Sequence, residues 1–512
     1  MKKISPFIIL LLTTASCNIT RHSVLKDDGK ISITFVQVND VYEIAPLANG
    51  KEGGMARVAT IKKNALQRNP NTFLIIAGDF LSPSVYNNLK YEGKAIRGKQ
   101  MIEAMNSAGM DYAIFGNHEF DIKEPELQER INESDFQWIS SNAFHKVKDT
   151  VIPFVKTQNV VNTNFPETLI KTVKDADGTT AKIGFIALTI PFNRASFVTY
   201  TDPLSTAKKL YAQIKDSVDA VIAITHQVIT DDEILAREIP GLALIIGGHE
   251  HDGRFEKIGN IYITKALANA KSAYVINLTI NKKNHKIKVD PKLEMVNESI
   301  ALDSATNGVV QKWQNIASNS YASLGFNAKE VISKKSDPLD ARESEIRSHP
   351  TNFTRMVIKS IEQAAPKAEV VLMNAGSIRL DDILQAPITQ YDIIRSLPYG
   401  GGIREVDMKG ILLKKIFTQG KNNKGSGGFL LYNDSLQLDN NSNSWILNGK
   451  NIDPEKVYRV ALADFLLTGG ESNLGFLTPS NPDIVKVYKS ETSAGSALSD
   501  IRIAIINYLK TK

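Results

Sequence analysis

Between residues 31 and 248, short apolar runs recur with segments of helical pattern between them, and that alternation restricts the chain to a layered α/β sheet. The runs are ISITFVQV (31–38), TFLIIAG (72–78), DYAIFG (111–116), KIGFIAL (182–188), AVIAIT (220–225) and LALIIGG (242–248). Most are apolar on both faces, so they read as strands covered from both sides. MARVATIKKNAL (55–66) and GKQMIEAMNSAG (98–109) carry apolar residues three and four apart, which predicts helices lying on the sheet, with Gly109 as a stop. At 512 residues the chain exceeds one ordinary core, and two domains are expected. A strand-like YVINLTI (274–280) precedes a polar, helical stretch at about 300–325 that reads as a linker. The second half resumes with helical NFTRMVIKSIEQA (352–364) and the strand VVLMNAG (370–376). Its Gly/Asn/Ser-rich segment 420–450 reads as hairpin turns and loops.

Residues 2–16 combine Lys2 and Lys3 with an apolar run from Ile4 to Leu12 and small residues up to Cys17, the pattern of an export signal. Cys17, the only cysteine, occupies the position that is lipidated in bacterial lipoproteins, although Thr14 stands where Leu is usual; an ordinary signal peptide with an incidental Cys is the alternative. Residues 18–30 read as a tether. The expectation is an exported protein of the periplasm or cell surface, touching a membrane only through an anchor on Cys17. Two of the six excess positive charges lie in that leader, and the remaining Lys and Arg form no stripe interleaved with aromatics, so polymeric nucleic acid is not an expected partner.

Chemistry-bearing residues stand where the apolar runs stop. Asp40, Asp79, Asn117 with His118, His226, and His249 with His251 follow five separate strands at the edge where α/β sheets collect ligands. An Asp after a strand usually caps a helix, and a lone His usually packs. Five strand ends delivering such residues to one rim point to a metal centre, and oxygen donors mixed with imidazoles suit zinc, manganese or iron better than magnesium or calcium.

VND (38–40), AGDF (77–80), GNHEFD (116–121), THQ (225–227) and GGHEH (247–251) resemble the calcineurin-type metallophosphoesterases, and GNHEFD resembles their 5'-nucleotidase and UDP-sugar hydrolase branch. The resemblance implies a four-layer α/β metallophosphatase sandwich (31–300), a helical linker (301–325) and a smaller α+β C-terminal substrate domain (326–512). It implies two divalent metal ions, Zn, Mn, Fe or Co. Asp79 would bridge them, with Asn117, His226 and His249 completing one site and Asp40 and His251 the other. His118 and Asp121 resemble the catalytic dyad. One departure stands out: the family carries Asp-x-His at the first motif, and here Tyr42 follows Asp40 and Val41. Tyr42 either binds as a phenolate or leaves its site one ligand short, and a phenol with a pKa near 10 argues for a weak ligand or none.

In the second half LMNAGSIR (372–379) resembles the family's substrate signature, with Asn374 and Arg379 near the phosphate. Neither Arg342 nor Arg347 falls in register with a second phosphate-binding Arg. SLPYGG (396–401) resembles the loop that offers a ring to a nucleobase, here Tyr399. Its partner ring is expected after Gly469 and Gly470, where Phe476 follows two residues late, with core packing as the equal alternative for that ring. The expected activity is release of phosphate from nucleoside 5'-monophosphates or related nucleotides. The alternatives are another small phosphate ester, or a binding lipoprotein with little catalysis.

Overall fold

The computed structural model of the protein describes residues 27–191, 195–439 and 444–512. The leader, Cys17 and the tether as far as residue 26 lie outside the described residues.

Two six-stranded sheets form the N-terminal domain. The first runs Lys286–Met295, Ser272–Asn281, Lys30–Val38, Thr72–Ile76, Tyr112–Ile114, Gln137–Ile139, and its last four strands are parallel. The second runs Thr168–Lys174, Thr180–Thr189, Ala220–His226, Leu244–Gly248, Ile261–Lys265, Arg254–Ile258, parallel in its four inner strands. Ile33, Phe35, Ile75 and Ile114 of one sheet pack against Phe185, Ile222, Ile224 and Ile246 of the other, with Phe35 and Phe185 ring centroids 6.1 Å apart. Each such side chain contributes roughly 1.5–3 kcal/mol by leaving water. Helices Met55–Arg68 and Lys99–Ala108 cover the outer face of the first sheet, and Pro203–Ile214 and Ile229–Glu238 cover the second. The result is a helix, sheet, sheet, helix sandwich.

The six strands and two helices read from the sequence appear with ends shifted by at most two residues. Polar edge strands such as Lys286–Met295, exposed at every second position, carried no apolar run to mark them. Helix Ser304–Ser323 packs on Met55–Arg68 and Lys99–Ala108 through buried Val310, Trp313 and Ala317. The C-terminal domain is a five-stranded sheet, Leu430–Tyr432, Val370–Asn374, Val457–Ala463, Ile403–Lys409, Ile484–Val487, with helices Asn352–Ala364, Gly410–Asn422 and Ile501–Lys510. The segment expected as turns and loops contains the end of one helix and the strands Leu430–Tyr432, Leu436–Asp439 and Ser444–Leu447. Trp445, packed on Phe417, supplies their apolar anchor.

Candidate metal centre between the domains

The parallel strands of both sheets end at one rim, where the chain turns sharply. Asp40, Asp79 and His249 all have positive φ (52, 55 and 88°), a conformation that L residues avoid unless their surroundings hold it. One backbone bond and two to carboxylates hold it here: Asp40 N–H donates to Gly78 O at 3.1 Å, His118 N–H to Asp79 Oδ1 at 2.8 Å and His249 N–H to Asp40 Oδ2 at 2.9 Å. The turns approach so closely that a Cβ at Gly116 would lie 2.1 Å from Asp79 Oδ1.

Within this frame the ligand atoms of buried Asp40, Asp79 and His226 all lie within 4.8 Å of one another. His226 Nδ1 stands 2.8 Å from the Ala77 carbonyl, which can only accept, so Nδ1 carries a proton, and Nε2 points at Asp79 Oδ2, 3.1 Å away. His251 repeats the pattern, with Nδ1 2.5 Å from Asp381 Oδ2 and Nε2 3.6 Å from Asp40 Oδ1. The His249 and His226 ring centroids are 5.2 Å apart, and Asn117, which precedes the short helix His118–Asp121, is buried. Tyr42 stands inside the cluster, its hydroxyl 3.0 Å from His251 Nε2 and 3.3 Å from Asp79 Oδ2.

The C-terminal domain closes the site. Arg379 Nη2 comes 3.5 Å from His118 Nε2, while His118 Nδ1 is 2.6 Å from Asp121 Oδ2. Tyr42, Asp79, His118, His249, His251, Glu343, Arg379 and Asp381 line one cavity of about 130 Å³. Asn374 is buried and donates to Glu471 Oε2 at 2.7 Å, and its Oδ1 accepts from Ser377. Tyr399 presents a half-exposed ring. Phe476 instead packs on the C-terminal core with Lys415 Nζ 4.0 Å over its face, and makes no ring contact with Tyr399 among the described residues.

Residues 33–253 match the calcineurin-like phosphoesterase family, and residues 331–477 match the 5'-nucleotidase C-terminal domain. The chain belongs to the calcineurin-like phosphoesterases. As a phosphoesterase it is a hydrolase, of the branch that carries a 5'-nucleotidase C-terminal domain. The snake venom 5'-nucleotidase of Crotalus adamanteus is 21% identical over 86% of this chain and 82% of its own. Protein UshA of Yersinia enterocolitica is 23% identical over 87% and 86%. The crystal structure of a 5'-nucleotidase precursor from Thermus thermophilus superposes with a TM-score of 0.68 at 19% identity, over 94% of this chain and 96% of that one, a likeness of fold.

Divalent metals serve this phosphoesterase family, and the donor set fits them. Asp40 Oδ1 and His226 Nε2 are buried without a hydrogen bond of acceptable geometry, atoms that a cation would satisfy. The metal-free electrostatics agree. Burial opposes charge on His226, yet the Asp79 and Asp40 carboxylates raise its pKa to about 10. Burial opposes charge on His251 too, and Asp381 and Asp40 raise it to about 9. His249, desolvated and facing His226, falls to about 3. Burial raises the Tyr42 hydroxyl well above its ordinary value, helped by Asp79 and Asp40. Protons thus hold the places where positive charge is wanted.

Three acidic residues of the site were missing from the sequence-based set. Glu119 accepts the N–H groups of Asp79, Phe80, Leu81 and Gly116 at 2.6–3.1 Å and so fixes two of the strand-end turns. Its position inside GNHEFD was the available signal. Asp381 and Glu343 arrive from the other domain, and only the nearness of Asp381 to Arg379 hinted at the first.

Proposed function

We propose that the protein is an exported, metal-dependent phosphohydrolase that releases phosphate from nucleoside 5'-monophosphates or closely related small phosphate esters. In this reading residues 31–300 are the catalytic domain, 301–325 the linker and 326–512 the substrate domain. Asp79, Asn117, His226 and His249 hold one divalent metal, and Asp40 and His251, with Asp79 shared, hold the second, with the Tyr42 hydroxyl beside it. Bound there, Zn, Mn, Fe or Co supplies Lewis acidity toward the phosphoryl oxygens and the attacking water.

The observation that carries the reading is the approach of Arg379 to His118 across the cavity. Arg379, which can only donate, hydrogen-bonds His118 Nε2 at 3.5 Å above a carboxylate and imidazole cluster, and an anionic oxygen entering the cavity can take that bond from the guanidinium. Burial disfavours the His118 imidazolium, but Asp79 and Asp121 more than restore it and raise the pKa. His118 can therefore protonate the departing ester oxygen while Asp121 holds the ring in place. Arg379 orients the phosphate, and Asn374, held by Glu471 and Ser377, borders the same loop. Tyr399 offers a face to a nucleobase. Phe465, exposed on the segment whose neighbour Asp464 accepts from Gly402 N–H at 2.9 Å, is the better second ring than Phe476. No helix among the described residues is long and apolar enough to cross a membrane, so membrane attachment in this reading rests on Cys17.

Phosphate release from adenosine 5'-monophosphate should vanish on chelation and return with added metal. His118→Ala should keep its metal content and lose about 10²–10⁴ in turnover. Full activity in chelator, or an undiminished His118→Ala, would contradict the proposal.

A further inference from the structure

Lys265 ends the strand Ile261–Lys265 behind the cluster and is fully buried. Its Nζ lies 2.6 Å from the Gln227 carbonyl oxygen, 2.5 Å from Glu250 Oε2 and 2.8 Å from Asp232 Oδ2. The first two accept hydrogen bonds, and Asp232 Oδ2 adds an ion pair without hydrogen-bond geometry. Each belongs to an element that carries or follows a metal-ligand candidate: Gln227 follows His226, Glu250 lies between His249 and His251, and Asp232 sits on helix Ile229–Glu238, which joins the two strands. The network closes on itself. Gln227 Nε2 donates to Asp232 Oδ1 at 3.1 Å, and Ile229 N–H donates to Glu250 Oε1 at 2.5 Å.

A buried ammonium with two carboxylates is a costly way to fill space, since apolar side chains of the same volume would pack without desolvating three charges. What an ion cluster adds is fixed distance and direction. Lys265 and Asp232 are fully buried and do not line the cavity beneath Arg379, so neither meets a substrate there. They act through what they hold.

We propose that Lys265 is a positioning residue for the metal centre, its ammonium clamping the turn after His226 to the turn that carries His249 and His251. The imidazoles of two neighbouring strands are thereby kept at one spacing before any cation arrives. The proposal rests on the reading of the cluster as a metal centre, and its test separates the two.

Metal-free wild type and Lys265→Met are titrated with cobalt(II), followed by calorimetry and by the visible d–d absorption of the bound ion. Loss of an outer partner of metal-ligating histidines costs about 10- to 100-fold in affinity. That loss is expected here, with a changed band intensity as the ligand geometry relaxes and with kcat falling more than KM changes. Lys265→Met strands the carboxylates of buried Asp232 and partly buried Glu250, so Glu250→Gln, which keeps the shape and an amide in place of the charge, is the second variant. It should fold and show the same spectral change with a smaller loss of affinity. If Lys265→Met folds and binds cobalt with wild-type affinity and spectrum, the positioning role is wrong; if it does not fold, the same result for Glu250→Gln is decisive. Wild type that takes up no cobalt would bring down the metal reading itself, and the positioning role with it.

Discussion

The two sides of the cluster are anchored by different means. His226 leans on the Ala77 carbonyl, a backbone group of its own domain, and is fully buried. His251 leans on Asp381, a side chain from the other domain, and keeps some exposure at the cavity wall. The same ring orientation results on both sides, with Nδ1–H outward and Nε2 inward. One side is organised by the N-terminal sandwich alone, and the other depends on where the C-terminal domain sits. Tyr42, the departure from the family's first motif, falls on the dependent side.

The contrast can be broken most forcefully at Asp381. Asp381→Asn keeps the shape and removes the charge, so one of two metal equivalents should bind about 10- to 100-fold more weakly while the other keeps its affinity. Calorimetric titration reads both at once. If the two fall together, the sides are not independently anchored.

A smaller effect comes from Glu43, which is buried next to Tyr42 and accepts the hydroxyl proton of Tyr391 from helix Gln390–Ser396 of the other domain. Burial pushes its pKa up to about 7, against the opposing effects of the Tyr391 bond and Arg395. Between about pH 4.5 and 7 the folded protein keeps a proton that the unfolded chain releases, so stability falls as pH rises through that window, by roughly 3 kcal/mol. Glu43→Gln should remove that part of the slope in denaturant unfolding at about pH 5 and pH 8. An unchanged slope would mean that the contact between the domains is indifferent to this carboxyl.

What was legible in the sequence follows the same division. Asp40, Asp79, Asn117, His226 and His249 interrupt apolar strands, and an interruption of that kind is visible in one dimension because buried parallel strands have so few polar residues. Asp381 lies in a loop and Glu343 opens the one-turn helix Glu343–Ile346, too short to show periodicity, and their relation to His251 exists only after two domains have docked. Lys265 was equally hidden, since a lysine at the end of a strand is ordinarily a surface residue, and its burial depends on Asp232 and Glu250 arriving from neighbouring elements. At Phe476 the sequence leaves stacking and core packing equally open, and the partly buried ring packs on the C-terminal core.

The central claim is that the rim of Asp40, Asp79, Asn117, His226, His249 and His251 holds the metals that act on a phosphate ester. The direct test is metal content by mass spectrometry together with phosphate release, on reconstituted wild type and on Asp79→Asn. The account predicts about two metals per chain in wild type, at most one in the variant, and a loss of several kcal/mol of transition-state stabilisation, more than about 10³-fold in rate. An Asp79→Asn protein that retains both metals and wild-type turnover would contradict it.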